Sequence, residues 1–265
     1  MKLVGRYLAL ASAAVQQRVA YRNAFLLGIA SQLLMALSLI YLWQAVYAGR
    51  PAVSGFTWPE LKTYLLLTFF TNMVIGWHSE MAIVGKVLDG SVAIDLLKPL
   101  DFQAARLVET LGVALFEGAV MLLVLAVVAA ALGGIQLPPN TGTLGLALLS
   151  FGLGALIKFG VVYLTCMLAF WTHNGWGIVH ARMALTQLFS GALVPLPFMP
   201  EWLRSWAEAL PFQGMVYLPS TIYLGRVGDG VFGALGSQAA WAAALLITSR
   251  LAFAHAMRKV TIHGG

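Results

Sequence analysis

The chain has 265 residues, of which 60% are hydrophobic and only 10% are charged, whereas soluble domains carry about 25% charged residues. One compact core of this size cannot bury so much apolar surface, because the outside of a soluble protein needs polar cover. The composition therefore excludes a soluble enzyme, a disordered chain and a disulfide scaffold. It predicts an all-α polytopic membrane protein.

The single cysteine, Cys166, excludes an internal disulfide and a cysteine-based metal cluster. Its position in an apolar run favours a small buried side chain over a reactive thiol. The net charge is +6, but the basic residues are scattered beside apolar segments. This pattern favours contact with anionic lipid and argues against a nucleic-acid partner.

Residues 1–22 combine basic and apolar side chains, with cations at Lys2, Arg6, Arg18 and Arg22. Such a pattern is typical of an amphipathic helix that lies flat at the membrane surface. The first turns of a long transmembrane helix are the alternative.

Six apolar segments follow, each bounded by polar, glycine or proline residues. We predict membrane spans over residues 24–47, 63–78, 107–135, 143–171, 183–197 and 231–254. A polar loop, 79–106, separates the second span from the third, and a mixed region rich in proline, 198–226, precedes the last span.

An even number of spans places both termini on one side of the membrane. With cytoplasmic termini, ten basic residues lie inside: Lys2, Arg6, Arg18, Arg22, Lys86, Lys98, Arg106, Arg182, Arg258 and Lys259. Four lie outside: Arg50, Lys62, Arg204 and Arg226. This excess satisfies the positive-inside rule, and the opposite orientation violates it.

The loop 79–106 contains a short predicted helix. Ser91 is suited to cap a helix whose body is 92–97, and Pro99 cannot continue it. Such a helix exposes apolar side chains flanked by charge: Val92, Ile94, Leu96 and Leu97. Those side chains suit the groove of a partner protein, and they equally suit lipid headgroups.

The segment from Gly90 to Asp101, GSVAIDLLKPLD, resembles the signature loop of type-2 ATP-binding-cassette (ABC) permeases, in the branch of ABC-2 family transporter proteins. The segments 169–171 (AFW), 191–200 (GALVPLPFMP), 210–212 (LPF) and 217–219 (YLP) agree in order and spacing. The resemblance extends over nearly the whole chain.

The resemblance implies that the loop after the second span carries a coupling helix that docks on an ATPase subunit. This role is carried over to Ser91, Val92, Ala93, Ile94, Asp95, Leu96 and Leu97, with Asp95 and Lys98 as polar contacts. It also implies short re-entrant helices at the outer face over 198–226.

The implied assembly contains two permease chains, identical or different, and two ATPase chains. The implied location is the bacterial inner membrane, and the implied activity is export. The chain has no Gly-x-x-x-x-Gly-Lys-Ser/Thr phosphate loop. We therefore expect no enzymatic activity, metal or cofactor in this chain, with ATP and Mg²⁺ bound by the partner.

Glu117 and Lys158 are charges within the predicted third and fourth spans, at similar depths. An unpaired charge there costs about 2.5–3.5 kcal/mol on insertion scales. We therefore predict an intramembrane Glu117–Lys158 ion pair, and a place for either residue on the substrate path stays open. His173 and His180 are spaced for one helix face but have no third ligand nearby.

Two other classes remain as alternatives. A secondary transporter or channel would need relays of ionisable residues within the membrane, and Glu117 and Lys158 are too few to form one readily. A membrane-embedded enzyme would need a nucleophile, metal or acid–base set that the sequence lacks. The substrate is open, although wide apolar spans favour lipid-like cargo.

Overall fold

The computed structural model describes residues 2–73, 77–172 and 175–257, and the helices of this part dominate the fold. They are α1 (Lys2–Ala20), α2 (Arg22–Val46), α3 (Trp58–Met73), α4 (Trp77–Leu88), α5 (Val92–Leu96), α6 (Phe102–Ala131), α7 (Thr141–Thr172), α8 (Gly175–Phe189), α9 (Glu201–Ala209), α10 (Tyr217–Tyr223) and α11 (Val231–Ala256). Short 3₁₀ turns lie at Leu196–Phe198, Pro211–Met215 and Gly228–Gly230.

A two-stranded antiparallel hairpin joins α2 to α3. Its strands are β1 (Ala52–Val53) and β2 (Phe56–Thr57), with Ala52 opposite Thr57. The connecting residues, Ser54 and Gly55, both have positive φ angles, of 47° and 78°. Two such residues form the tight turn that matches the twist of paired strands.

Four helical segments are long and apolar enough to cross a membrane: α2, α6, α7, and α11 with its preceding turn. They correspond to the first, third, fourth and sixth predicted spans. Within their most apolar windows, 56% of the residues of α7 are buried, but only 17% of those of α2. The fold is therefore that of an all-α membrane protein with α7 near its centre, and the total of six spans stays a prediction.

The bundle has two ends that can be told apart by their contacts. At one end the Lys62 ammonium donates a hydrogen bond to the Leu132 carbonyl (2.8 Å), and Arg226 pairs with Glu60 (2.9 Å). At the other end α5 lies beside the start of α6.

Helix α1 packs along α6. A Cβ atom on Gly112 would lie 2.9 Å from the Ala11 Cβ, so the close approach of the two helices requires glycine there. The Asp101 amide donates to the Tyr7 hydroxyl (3.3 Å), at the same end of both helices. The N-terminal segment is helical over Lys2–Ala20, and its flat position at the membrane surface stays a prediction.

The boundaries of the predicted fifth span are wrong. Helix α8 begins at Gly175 and ends at Phe189, whereas the sequence predicted a span over 183–197. A Cβ atom on Gly175 would clash with the Val84 side chain, so the start of α8 is set by its packing on α4. The chain then turns at Gly191, which has a φ of 82°.

The predicted cytoplasmic loop is also more helical than expected. Helix α4 extends to Leu88, and α6 begins at Phe102, five residues before the predicted third span. Asp101 caps α6, because its carboxylate accepts a hydrogen bond from the Ala104 amide (2.8 Å). The region 198–226 contains α9, a 3₁₀ turn and α10, and α10 packs against α7; its re-entrant placement remains a prediction.

Candidate coupling site and buried charges

Helix α5 is held in place by one carboxylate. Asp95 is buried, and its oxygens contact the ammonium groups of Lys86 in α4 (2.5 Å) and Lys98 (2.6 Å). The Arg106 guanidinium of α6 lies 3.6 Å from the same carboxylate and 2.8 Å from Glu109. The short helix is therefore tied to both neighbouring long helices.

The charge state of Asp95 follows from these neighbours. Burial by itself disfavours the ionised carboxylate, but hydrogen bonds from Lys86 and Lys98 and the charge of Arg106 outweigh it. The pKa of Asp95 is therefore below its ordinary value. At neutral pH the carboxylate is ionised and holds the surrounding cations.

The exposed surface of α5 is smaller than the sequence predicts. Val92 is only 1% exposed and packs among the side chains of α4 and α6, so its predicted exposure is wrong. A one-turn helix must turn some side chains inward, and here they are Val92 and Asp95. The exposed side chains, called the α5 tip below, are Ile94, Leu96 and Leu97.

Two residues differ from their predicted roles. Ser91 does not cap α5 with its side chain, because its own backbone is already helical; instead the Asp89 carboxylate accepts its amide (2.8 Å). Asp95 is engaged within the chain, so it positions α5 rather than presenting a free carboxylate. Lys98 remains half exposed beside the tip. In the sequence, the available signal for the cap of α6 was an aspartate, Asp101, directly before the helical run that begins at Phe102.

Glu117 and Lys158 do not form the predicted direct ion pair. Glu117 accepts a hydrogen bond from Arg18 of α1 at 2.6 Å, and both side chains are largely buried. Lys158 donates to the carbonyl oxygens of Thr71 (3.2 Å) and Asn72 (3.1 Å). The prediction failed because α1, packed along α6, brings its own cation to Glu117.

A second buried ion pair joins α4 to α8. Arg182 donates two hydrogen bonds to the Glu80 carboxylate, at 2.8 and 2.7 Å, and Glu80 is 1% exposed. The sequence did not reveal this pair, because both residues were assigned to polar connections and they are 102 positions apart. Cys166 lies beside it and is fully buried, which confirms the interpretation of this cysteine as a small core residue.

Of the two histidines singled out in the sequence, the structure describes only His180. His180 lies in α8, where its Nδ1 atom is 2.9 Å from the Trp176 carbonyl oxygen. His173 lies outside the described residues. Over residues 2–73, 77–172 and 175–257, no group of three or more histidine, cysteine, aspartate or glutamate side chains is arranged to hold a metal ion.

The long apolar helices identify the class of protein, an integral membrane protein. The particular family follows from sequence comparison, in which residues 33–264 match the family described as ABC-2 family transporter protein. The chain belongs to this family and is an ABC transporter permease. Membership implies an ABC ATPase subunit as partner. Comparison with curated proteins gave no match.

Proposed function

We propose that the chain is the membrane subunit of an ABC exporter of the bacterial inner membrane, and that ATPase subunits drive it through the α5 tip. The observation that carries this proposal is a rigidly held helix with an unpartnered apolar end. Leu97 is 85% exposed and Ile94 is 63% exposed, whereas Asp95 and Val92 are buried. Exposed apolar groups of this size on a fixed support suit a protein groove.

The contacts of α5 with its neighbouring helices would transmit a force from α5 to the bundle. Lys86 links it to α4, and Arg106 links it to α6 through the shared Asp95 carboxylate. A force on the α5 tip would therefore act on two long helices at once, which favours rigid-body movement of the bundle over local bending. ATP binding in the partner subunits would supply that force.

In this proposal the chain itself has no enzymatic activity. Its sequence has no phosphate-binding loop, so ATP and Mg²⁺ would bind to the ATPase subunits. The proposed assembly has two permeases, identical or different, with cytoplasmic termini. Helix α2 supports a further contact with lipid or the second permease, because it exposes large side chains along its length: Leu26, Leu27, Leu34, Tyr41 and Leu42.

The proposal is tested by co-expressing the full chain with its ATPase and purifying the complex through the permease. We expect Leu97→Glu to reduce the co-purified ATPase at least ~10-fold, because a charge cannot enter an apolar groove without a partner. Leu137→Glu is the matched control, since Leu137 is 73% exposed at the opposite end of the bundle. Retention of the ATPase by Leu97→Glu would contradict the proposal, and solute movement by the permease alone would support a secondary transporter or channel.

A further inference from the structure

A groove runs between α6 and α7, with α3 behind it. Its volume is about 380 Å³, within the ~300–1,000 Å³ typical of small-molecule sites. Leu115 and Gly152 lie at its exposed edge, and Phe70 and Met215 lie deeper. The groove is therefore open to the side of the bundle and closed at the back.

The space in the groove comes from residues that have no side chain. Gly118 of α6 and Gly152 of α7 both line it, and a Cβ atom on either would meet nothing within 4 Å. Backbone strain does not explain these glycines, because neither has a positive φ angle. Their effect is to leave a narrow apolar slot along the two helices.

One end of this slot carries a basic side chain. Lys158 is the one ionisable residue among those that line the groove in the described part of the chain. Around it, Glu117 and Glu80 are each bonded to an arginine, Arg18 and Arg182. The three basic side chains of this region outnumber its two carboxylates.

Lys158 lies far from either end of α7. Lys158 is near the middle of α7, which has 32 residues, so about 20–25 Å separate it from each end at 1.5 Å per residue. From Lys158 the apolar lining continues toward Phe151 and Leu122, in the direction of the α6–α7 connection. A resident phospholipid keeps its headgroup at the interface, about 15 Å from the bilayer centre, and so does not reach a lysine at this depth.

We propose that this groove binds an anionic amphiphile, with its acidic group at Lys158 and its alkyl chain in the slot between α6 and α7. The apolar lining matches the chain, and the basic side chain of Lys158 matches the acidic group. The inference names the substrate class of the proposed exporter and so rests on the proposed function. The occupant is a single-chain anion that has left the headgroup layer.

The test is a displacement assay on the full chain in phosphatidylcholine nanodiscs. cis-Parinarate, a fluorescent carboxylate with a straight polyene tail, is the probe, and energy transfer from tryptophan reports its binding. Dodecanoate, dodecanol and dodecyltrimethylammonium then compete, because they share one chain length and differ in charge. We expect dodecanoate to displace the probe at about tenfold lower concentration than the cation, as for a charge-assisted contact.

Two variants address the two parts of the site. Lys158→Met should remove the preference for the anion, whereas Lys62→Met, which also loses a lysine bonded to a backbone carbonyl, should keep it. Gly152→Leu should fill the slot and weaken probe binding at least ~10-fold. Gly145→Leu is its control, because Gly145 lies on α7 outside the groove and a Cβ there also meets nothing.

Several results would overturn the proposal. Equal displacement by the three competitors would mean that the groove holds an alkyl chain without regard to charge. Unchanged binding in Gly152→Leu would place the probe elsewhere. Disulfide-linked dimers of Leu115→Cys would show that a second copy of the chain covers the groove.

The two proposals fail in different ways. Loss of anion preference with the ATPase still bound would reject the groove and leave the exporter. A clear anion preference in a chain that never engages an ATPase would reject the exporter and leave an amphiphile site.

Discussion

Asp95 and Glu80 are both buried carboxylates, but the arrangement of cations that compensates for their burial differs. Asp95 lies near one end of the bundle and is surrounded by three cations, two of them on partly exposed lysine side chains. Among the described residues, the Glu80 carboxylate accepts its hydrogen bonds from Arg182, in two parallel contacts. The Asp95 carboxylate can lose one cation and keep the others, whereas Glu80 is hydrogen-bonded to a single cation within the part of the chain that the structure describes.

The largest expected effect follows from that difference. Replacing Arg182 with alanine leaves the Glu80 carboxylate buried without its cation, which costs about 3–5 kcal/mol in the free energy of unfolding. The double variant Glu80→Ala/Arg182→Ala should be milder than Arg182→Ala, because it removes both charges. Denaturant unfolding in detergent measures both, and a double variant as unstable as the sum of the single variants would show that the pair is not coupled.

The next effect concerns the partner of Glu117. A double-mutant cycle between Arg18→Ala and Glu117→Ala should give a coupling energy of about 1–3 kcal/mol, because the two groups are in direct contact. The matched cycle between Glu117 and Lys158 should give a smaller value. A larger coupling in the second cycle would restore the pair that the sequence suggested.

A smaller effect is expected at Asp95. Asp95→Asn keeps the shape of the side chain but removes the charge, so we expect a loss of about 1–2 kcal/mol, in the range for hydrogen bonds to charged groups. ATPase stimulation should fall with it if α5 transmits motion. Asp95→Asn with wild-type stability would mean that Lys86, Lys98 and Arg106 gain nothing from the shared carboxylate.

The same residue predicts a pH dependence. Because the pKa of Asp95 is lower in the folded chain than in the unfolded one, its contribution is complete above the unfolded value, about 3.9. The contribution decreases as the pH falls below that value and through the lower folded pKa. The difference in unfolding free energy between wild type and Asp95→Asn, measured from pH 6 to pH 2, should therefore shrink on acidification.

The smallest effect is expected for an exposed pair. Arg204 and Glu208 of α9 are in contact at 2.6 Å, but both side chains are nearly half exposed. Arg204→Ala should change the unfolding free energy by less than about 0.5 kcal/mol. A loss comparable to that of Arg182→Ala would show that α9 is buried in the assembled membrane protein.

Local composition was enough to predict the helical class and the approximate position of most long helices. The runs that became α2, α6, α7 and α11 each contain an apolar window of 18 residues, and this property depends on neighbouring residues alone. The short helix after Gly90 was also predictable, because proline and glycine act on the backbone next to them.

The partners of the buried charges were decided only in the tertiary structure. The sequence indicated that Glu117 needs a cation, because burial of a lone charge is costly, but Lys158 and Arg18 both met that requirement. Packing of α1 against Gly112 of α6 selected Arg18. The same holds for Glu80 and Arg182, since ion pairing depends on distance in space, and residues 102 positions apart become neighbours only when α4 packs against α8.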